Sequence, residues 1–555
     1  VVAAINTIST PNPPVGKSNE RARDLRQNQP SYWGFICVQA SPDTGEGVGM
    51  NKVLAISAAI SGSTSSVELK RVLRDDKTLI STDVRPADIA RRALALVVVN
   101  GDPIGYTESA HEFAARYRAM RRAGDRVHRR TSIVWELRTR RVSFWTDYGR
   151  LHRPLICVYN NVTEYEEAAM AGKPIPFRQW IKLNMPHIRG LEDGTLTIGD
   201  LEAEGVIEYL TPEEVFNCYI ARSIDYFYTR SGDELHQFTH VDIPQAILGP
   251  TALACPASNH SNTYRNTMQH NHRKQACGWY SLNFPYIIEK NTTFQHYVEQ
   301  PLISTFTDRI TTPTGHNIIV ALDCRAGNNA EDSIQCSSSA ADRGYWAVSQ
   351  FNFEKSELER SEIFGMPDAT ITANIKREAN YAGVDGITAR VGSVVRQNDV
   401  LIVKVVKMPK ADNNGNRYKD ASTLNRRIEP ARVVNVVRAH NGQAEFIRVK
   451  IESYRPIGDG DKLSSRTGNK GIVSITTPAC DMPYTEDGLG IDLLVNAHSM
   501  PTRMALNQMI EAMLGIYAAR LGCNIDATAF RSIDVRGVVD QLATMGVKYA
   551  GHRRV

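Results

Sequence analysis

The sequence lacks paired cysteines: its nine, at positions 37, 157, 218, 255, 277, 324, 336, 480 and 523, include no C-x-x-C pair and are odd in number. That pattern speaks against a disulfide framework and predicts reduced thiols inside a cell. Long apolar runs are also missing. The longest purely apolar stretch, 93–99, is too short to cross a bilayer. The opening residues VVAAINTISTPNPP have no initiator Met, basic n-region or cleavage site, so they read as neither signal nor transit peptide, and the sequence is expected to start inside a longer protein. No strong charge of either sign is present. A net charge of +5 implies no nucleic-acid partner by itself, because a basic channel can coexist with an acidic outer surface. No repeat of solenoid period is visible.

What is present is length and an ordinary apolar content, 555 residues and 42 %, enough for about three or four packed units. Up to Gly49 the chain is rich in Pro, Asn and Gly, with Tyr32 and Trp33 leading into a short apolar strand at 34–38. Helical and strand patterns then alternate to about Ser231, including a FAARYRAMRRAG helix that Gly124 should stop. Residues 236–350 carry short strands such as 318–322. The next block, to about Pro456, is strand-rich, and its polar insertion PKADNNGNRYKDASTLNRR reads as a mobile surface loop. In the last block Ser499 is a candidate cap and Pro501 lies near a helix start. Leu506, Met509, Ile510, Met513, Tyr517 and Leu521 share its apolar face, and Gly522 ends it. Arg503 then falls in the first turn, where unpaired amides favour an anion.

The chemistry-bearing candidates are few. GDKLSSRTGNKG, 460–471, spaces Lys462, Arg466 and Lys470 four residues apart among glycines, a pattern suited to phosphate: ammonium point charges, a planar guanidinium, and backbone free to turn or approach closely. Glu331 and Asp332 sit together in a polar loop after an apolar strand, where a carboxylate suits a hard cation that keeps most of its waters. Twelve arginines between Arg116 and Arg153 suit either a polyanion or a solvated helical face. Cys255, His260, His270, His272 and Cys277 are too irregularly spaced for a compact zinc knuckle. Gly16-Lys17-Ser18 lacks the earlier glycine of a nucleotide-binding P-loop, and Gly45, Gly47 and Gly49 lack the third glycine of a dinucleotide fingerprint, so they read as turns.

The order of the segments is more specific than any one of them. YWGFICVQASPDTGEGVGM, FWTDYGRLHRPL, HQFTHVDIPQAILG, YRNTMQHNHRKQACG, NNAEDSIQCSSSAADRG, GDKLSSRTGNKG, DMPYTEDGLGIDLLVNAHSMPTRM and DATAF resemble, in sequence order and over nearly the whole chain, the second-largest subunit of multisubunit DNA-directed RNA polymerase. The resemblance is to the eukaryotic, archaeal and large-DNA-virus form more than to the bacterial β counterpart. It implies a mixed α+β, multidomain fold in which a double-ψ β-barrel hybrid-binding core carries an inserted β-rich wall, or flap. The implied divisions are a fork region at 1–60, an external domain with fork-associated segments at 61–235, hybrid-binding parts at 236–352 and 456–545, the wall at 353–455, and a truncated lead into anchor and clamp at 546–555.

The same resemblance implies roles for individual residues. Arg265 and Arg503 match arginines that hold the triphosphate of the incoming nucleotide, and Lys470 a lysine near those phosphates and the RNA end. Lys462 and Gln275 match contacts to RNA, with Arg466 shaping the basic loop among these nucleic-acid-binding residues. Asp332 and Glu331 match the acidic pair near the nucleotide-borne magnesium. Expected partners are the largest subunit, other polymerase subunits, DNA template, RNA transcript and nucleoside triphosphates, with no membrane. The expected location is intracellular, in nucleus or cytoplasm, or in a viral factory or virion.

Two departures bear on activity. No aspartate triad of the NADFDGD kind occurs, so the principal magnesium would be bound by the largest subunit and this chain alone would be inactive. The sequence stops at GVKYAGHRRV, before anchor and clamp, and lacks the lobe and protrusion, so it is expected to be a fragment or a split-gene product, with no zinc in this portion. Thr467 stands where many relatives carry His. A non-catalytic nucleic-acid-binding or scaffold protein that retains the fold is the competing reading.

Overall fold

The computed structural model describes residues 5–9, 23–45, 47–161, 177–231, 237–279, 281–284, 286–287, 291–412, 415–440, 442 and 444–547. The chain divides into two compact units, Val1–Leu253 with Asn266–Asn271, and Ala254–Arg265 with His272–Val555. The fold is mixed α and β throughout. Gly16-Lys17-Ser18 lies outside the described residues.

In the first unit the apolar run becomes strand Ala95–Val99, central in a four-stranded sheet with Asp102–Thr107, Arg141–Trp145 and Ser132–Glu136. Helix Ala110–Ala123 covers it because Phe113, Ala114 and Tyr117 recur at helical spacing and pack with Val97, Ile133, Val142 and Phe144. Gly124 ends that helix in the left-handed conformation (φ 69°), as its place in the sequence predicts. A second sheet is organised by the ten-residue strand Leu151–Asn160, which pairs antiparallel with Ile207–Leu210 and His240–Val241. The strand expected at 34–38 does not form. Phe35, Ile36 and Cys37 are buried, but through a tight turn after Pro30–Tyr32 and a single bridge from Ile36 to Leu54. Two backbone bonds tie the segment down, from the Cys37 amide to the Val53 carbonyl at 2.8 Å and from the Ala55 amide to the Phe35 carbonyl at 3.0 Å, without extending into a strand.

Six of the twelve arginines between Arg116 and Arg153, namely Arg116, Arg121, Arg122, Arg130, Arg141 and Arg153, meet carboxylates of the same unit. Arg121, 1 % exposed, donates to Glu208 at 2.9 Å and to Glu214 at 2.5 Å. Arg122 donates to the other Glu208 oxygen at 2.7 Å, Arg130 to Glu202 at 2.9 Å and Arg153 to Asp242 at 3.1 Å. Burial opposes the Glu208 charge, yet Arg121 and Arg122 hold its carboxyl well below the usual range. Half of this stretch is therefore an internal charge network and not a free cationic surface, while Arg126, Arg138 and Arg140 are exposed. Cys157, Glu208 and His240 place potential ligand atoms within 4.8 Å of one another, but Glu208 is already bound by two guanidiniums that oppose a dication.

In the second unit, the β-branched runs form strands Ala431–His440 and Glu445–Arg455, which with the more polar Val348–Glu357 make the core of a five-stranded antiparallel sheet. Alternate residues Val433, Ile447, Val449 and Ile451 turn inward to meet Leu401 and Ile402. Among the described residues, everything between 358 and 430 is strand or irregular, in two four-stranded sheets apart from Val394–Val395, which joins the five-stranded sheet. The insertion expected to be a surface loop contributes strands Tyr418–Asp420 and Thr423–Leu424. Its Asp420 is buried and accepts hydrogen bonds from Tyr381 Oη at 2.6 Å and from the Lys376 and Ser422 amides. Polar composition there marks satisfied buried groups.

A mixed five-stranded sheet carries the remaining elements, in the order Val320–Leu322, Leu493–Val495, Ser333–Ser337, Lys470–Thr477 and Lys462–Ser464. The helix expected to run through Arg503 is two helices. Ser499–Arg503 ends at Met504, which is left-handed (φ 50°), and Leu506–Leu521 follows. Arg503 therefore lies in the last turn of a short helix, so the expected amide-rich first turn does not support it. Met513, Leu514 and Ala518 of the longer helix pack on Ile303 and Leu542, and Gly522 closes it at φ 69°.

Candidate active site

The segment 460–471 folds as a hairpin of strands Lys462–Ser464 and Lys470–Thr477, with Lys462 opposite Ile472 and Ser464 opposite Lys470. Residues opposed in an antiparallel pair share a face, so this register puts Lys462, Ser464 and Lys470 on the same side. The connecting turn is held by Ser465, whose amide donates to the Asn469 carbonyl at 2.9 Å and whose Oγ accepts from the Asn469 amide at 3.1 Å. The two glycines have different tasks. Gly468 adopts φ 85°, which few other residues would accept. Gly471 permits a close approach, since a Cβ there would stand 2.3 Å from Ile334 Cδ1 and 2.8 Å from the Asp332 carbonyl.

That approach brings the acidic pair to the basic hairpin. The Ile472 amide donates to the Asp332 carbonyl at 2.9 Å, and strand Ser333–Ser337 runs parallel to Lys470–Thr477. Glu331 turns the chain just before, in a left-handed conformation (φ 54°) uncommon for its residue type. Both carboxylates line a cleft that opens to solvent, together with Lys470, Arg503, Asn469, Ser464 and Gln508.

The two arginines reach the same hairpin from opposite ends of the sequence. Arg265, in the first turn of helix Thr263–Gln275, donates to the Gly468 carbonyl at 3.4 Å. Arg503 donates to Asn469 Oδ1 and pairs with Asp332. Burial, together with repulsion from Arg265, lowers the Arg503 guanidinium from its ordinary value, as expected for two cations facing common ground. An anion between them would relieve that repulsion.

The other expected residues divide. Lys462 is exposed on the outer strand of the hairpin. Gln275 is exposed in the last turn of its helix, one turn beyond His272, whose Nδ1 lies 2.8 Å from Ser464 Oγ. Arg466 turns inward, donating to Glu511 at 2.6 Å, Asp308 at 3.1 Å and the Ile303 carbonyl at 2.7 Å. Burial disfavours its charge, but the two carboxylates more than offset that and raise its value. Those contacts make Arg466 a brace of the hairpin.

Sequence reasoning missed Asn469. It is 9 % exposed, accepts from Arg503, and its amide nitrogen lies 3.3 Å from Gln508 Oε1 and 3.5 Å from Ser499 Oγ. Its place between Gly468 and Lys470 was the available signal. As metal donors, Glu331 and Asp332 are the two carboxylates on this cleft that could supply part of a hard cation's oxygen shell, and Asp332 is also paired with Arg503.

Comparison with known proteins gives the family of the chain. The family model for RNA polymerase Rpb2, domain 6, matches residues 251–555, more than half of the chain and the whole of the site. The chain belongs to the Rpb2 family. Models for Rpb2 domain 4 and domain 3 match residues 97–159 and 2–60. The chain is 30 % identical to DNA-directed RNA polymerase II subunit 2 of Arabidopsis thaliana over 98 % of its own length and 46 % of that relative. It is 29 % identical to subunit RPB2 of Encephalitozoon cuniculi, over 99 % and 48 %, and 30 % identical to subunit Rpo2 of Saccharolobus solfataricus, over 96 % and 47 %. This Rpb2 chain thus spans about half the length of the curated relatives it matches. Among its described residues, no helix is long and apolar enough to cross a membrane.

Proposed function

We propose that this chain forms one side of the active centre of a DNA-directed RNA polymerase, holding the incoming nucleoside triphosphate and the RNA end during template-directed synthesis. The observation that carries the reading is the convergence of Arg265, Lys470 and Arg503 with Asp332 on one hairpin. Phosphoryl transfer needs positioning and neutralisation of charge on the leaving pyrophosphate, and guanidinium and ammonium groups opposite a metal supply both. Arg265 and Arg503 would clamp the phosphates, while Lys470 would stand between them and the RNA end. Lys462 and Gln275 would hold the RNA backbone, a contact that carries no sequence information. Arg466 supports them by fixing the loop.

A nucleotide-borne magnesium, held in part by Asp332 and Glu331, would neutralise phosphate charge when bound. The principal magnesium ligands would come from the largest subunit, and the chain would work only with it, the other polymerase subunits, DNA and RNA. In this reading the mixed five-stranded sheet belongs to a double-ψ β-barrel hybrid-binding core. The strand-only stretch within 353–455 is the wall, residues 1–60 the fork, and 61–235 the external domain. The location follows transcription, in nucleus or cytoplasm. A scaffold that had lost catalysis would gain nothing from two mutually repelling guanidiniums.

The test is nucleotide addition by the assembled polymerase carrying Arg265→Ala or Arg503→Ala. Reduced kcat/KM for nucleoside triphosphate is expected in each. Unchanged incorporation in both would overturn the site.

A further inference from the structure

Apart from the phosphate-facing groups, the second unit holds a thiol, an imidazole and an amide oxygen in mutual contact. Cys324 Sγ lies 3.3 Å from His498 Nδ1 and 3.3 Å from Asn496 Oδ1, and Asn496 Oδ1 lies 3.1 Å from the same ring nitrogen. We infer that Cys324 is a nucleophilic modification site, with His498 as its base, that reacts with peroxides and soft electrophiles ahead of the other exposed thiols of this chain.

The arrangement is built from two separated pieces of backbone, the Cys324 loop and the segment that carries Asn496 and His498. The Asp323 amide donates to the Val495 carbonyl at 3.1 Å, which ties the Cys324 loop to strand Leu493–Val495. Asn329 closes that loop, its amide donating to the Asp323 carbonyl at 2.6 Å and its Oδ1 accepting from the Arg325 amide at 3.0 Å. Asn496 Oδ1 accepts from the His498 amide at 2.9 Å, which fixes the oxygen beside the ring. His498 is itself the cap residue of helix Ser499–Arg503, and its carbonyl accepts from Thr502 Oγ1 at 2.6 Å. Thiol and base are therefore held by ordered backbone on both sides.

The chemistry follows from the contacts. A thiol is a weak nucleophile until an adjacent base takes its proton, and the imidazolium so formed stabilises the thiolate. Here Nδ1 receives the Cys324 proton, and the Asn496 oxygen then accepts from the new N–H. With hydrogen peroxide the sulfur attacks one oxygen, an S–O bond forms as the O–O bond breaks, and the leaving hydroxide takes the proton from His498 to become water. Sulfur is oxidised by two electrons to the sulfenic acid, and peroxide is reduced. The nearby charges are mixed: Asp323 precedes the cysteine and its Oδ1 accepts from the Cys324 amide at 2.8 Å, while Arg325 follows. The imidazole is thus the feature that sets this thiol apart. Among the described residues, the other exposed thiols, Cys277, Cys480 and Cys523, have no imidazole within hydrogen-bond distance.

Those three thiols are internal controls. The full chain is treated with limiting iodoacetamide, or with hydrogen peroxide and dimedone, at neutral pH, and each cysteine peptide is quantified over time by mass spectrometry. Cys324 is expected to react about tenfold faster than Cys480 and Cys523. His498→Gln should bring it to within about twofold of them, and Asn496→Ala should give an intermediate rate. Equal rates at all exposed thiols of the unsubstituted chain would overturn the proposal without any variant needing to fold. So would a Cys324 rate unaffected by His498→Gln. Neither result depends on the nucleotide reading, which the incorporation assay tests separately.

Discussion

The arginines around Glu208 and Glu214 are enclosed by carboxylates, whereas Arg503 lines an open cleft beside Asp332 and Glu331, and Arg265 reaches the hairpin at its edge. In the first group Arg121 is 1 % exposed and each of its donors finds an oxygen of Glu208, Glu214 or Thr131. In the second, Arg503 is held by Asn469 and Asp332, and Arg265 adds to its burden of positive charge. Completed pairing gives a brace, whereas a guanidinium at the wall of an open cleft keeps room for a further partner. Arg466 shows that the distinction holds even within the basic hairpin, because its two carboxylate partners make it structural while Lys470, four residues later, lines the cleft.

The sharpest way to break this contrast is to remove a brace. Arg121→Ala should lower stability by about 3–5 kcal/mol in denaturant unfolding, since it strands buried carboxylates. A loss below about 1 kcal/mol would put Arg121 in the same class as a surface cation. Next, Arg503→Ala and Arg265→Ala in the assembled polymerase should each remove roughly 2–4 kcal/mol from nucleotide use while leaving the unfolding midpoint nearly unchanged. Equal damage to stability would show them to be braces too.

Asn469→Ala refines the comparison by loosening Arg503 without removing it. A loss of about 1–2 kcal/mol in kcat/KM is expected, and it should vanish in an Arg503→Ala background. An additive double mutant would mean that Asn469 acts elsewhere.

The interior of the first unit should also be the acid-sensitive part. Burial and the charge of Arg150 push His152 down from 6.5 to about 4. A histidine whose folded value is depressed binds fewer protons folded than unfolded below pH 6.5. Its stability contribution is therefore complete above that value and is lost as pH falls toward 4. About 1 kcal/mol should disappear between pH 7 and 5.5, and His152→Gln should flatten that slope. The smallest effect is expected at Lys462, exposed and unburied: Lys462→Ala should reduce the salt slope of complex stability by about one counterion. An unaltered slope would remove Lys462 from the RNA contacts.

Much of this was legible from residue type and spacing. The left-handed ends at Gly124 and Gly522 follow from glycine at the helix stop, and the long hairpin 431–455 follows from β-branched alternation. The hairpin glycines were readable as special, but not their separate tasks, because the need for Gly471 comes from Ile334, far away in sequence. The break at Met504 was not readable. Nothing in Arg503-Met504-Ala505 forbids a helix, and the left-handed turn at Met504 is visible only in the folded chain. The arginine-rich stretch misleads for a similar reason, since its carboxylates lie at 202, 208, 214 and 242.

The sequence by itself determined the ordered motifs, and with them membership of the Rpb2 family, because those motifs are local strings whose residue types state their chemistry. Which cations face the cleft and which are neutralised inside was decided only by the tertiary structure. An ion pair depends on distance, and the distances between Arg121 and Glu208, or Arg503 and Asp332, are set by strands and helices that meet only after folding.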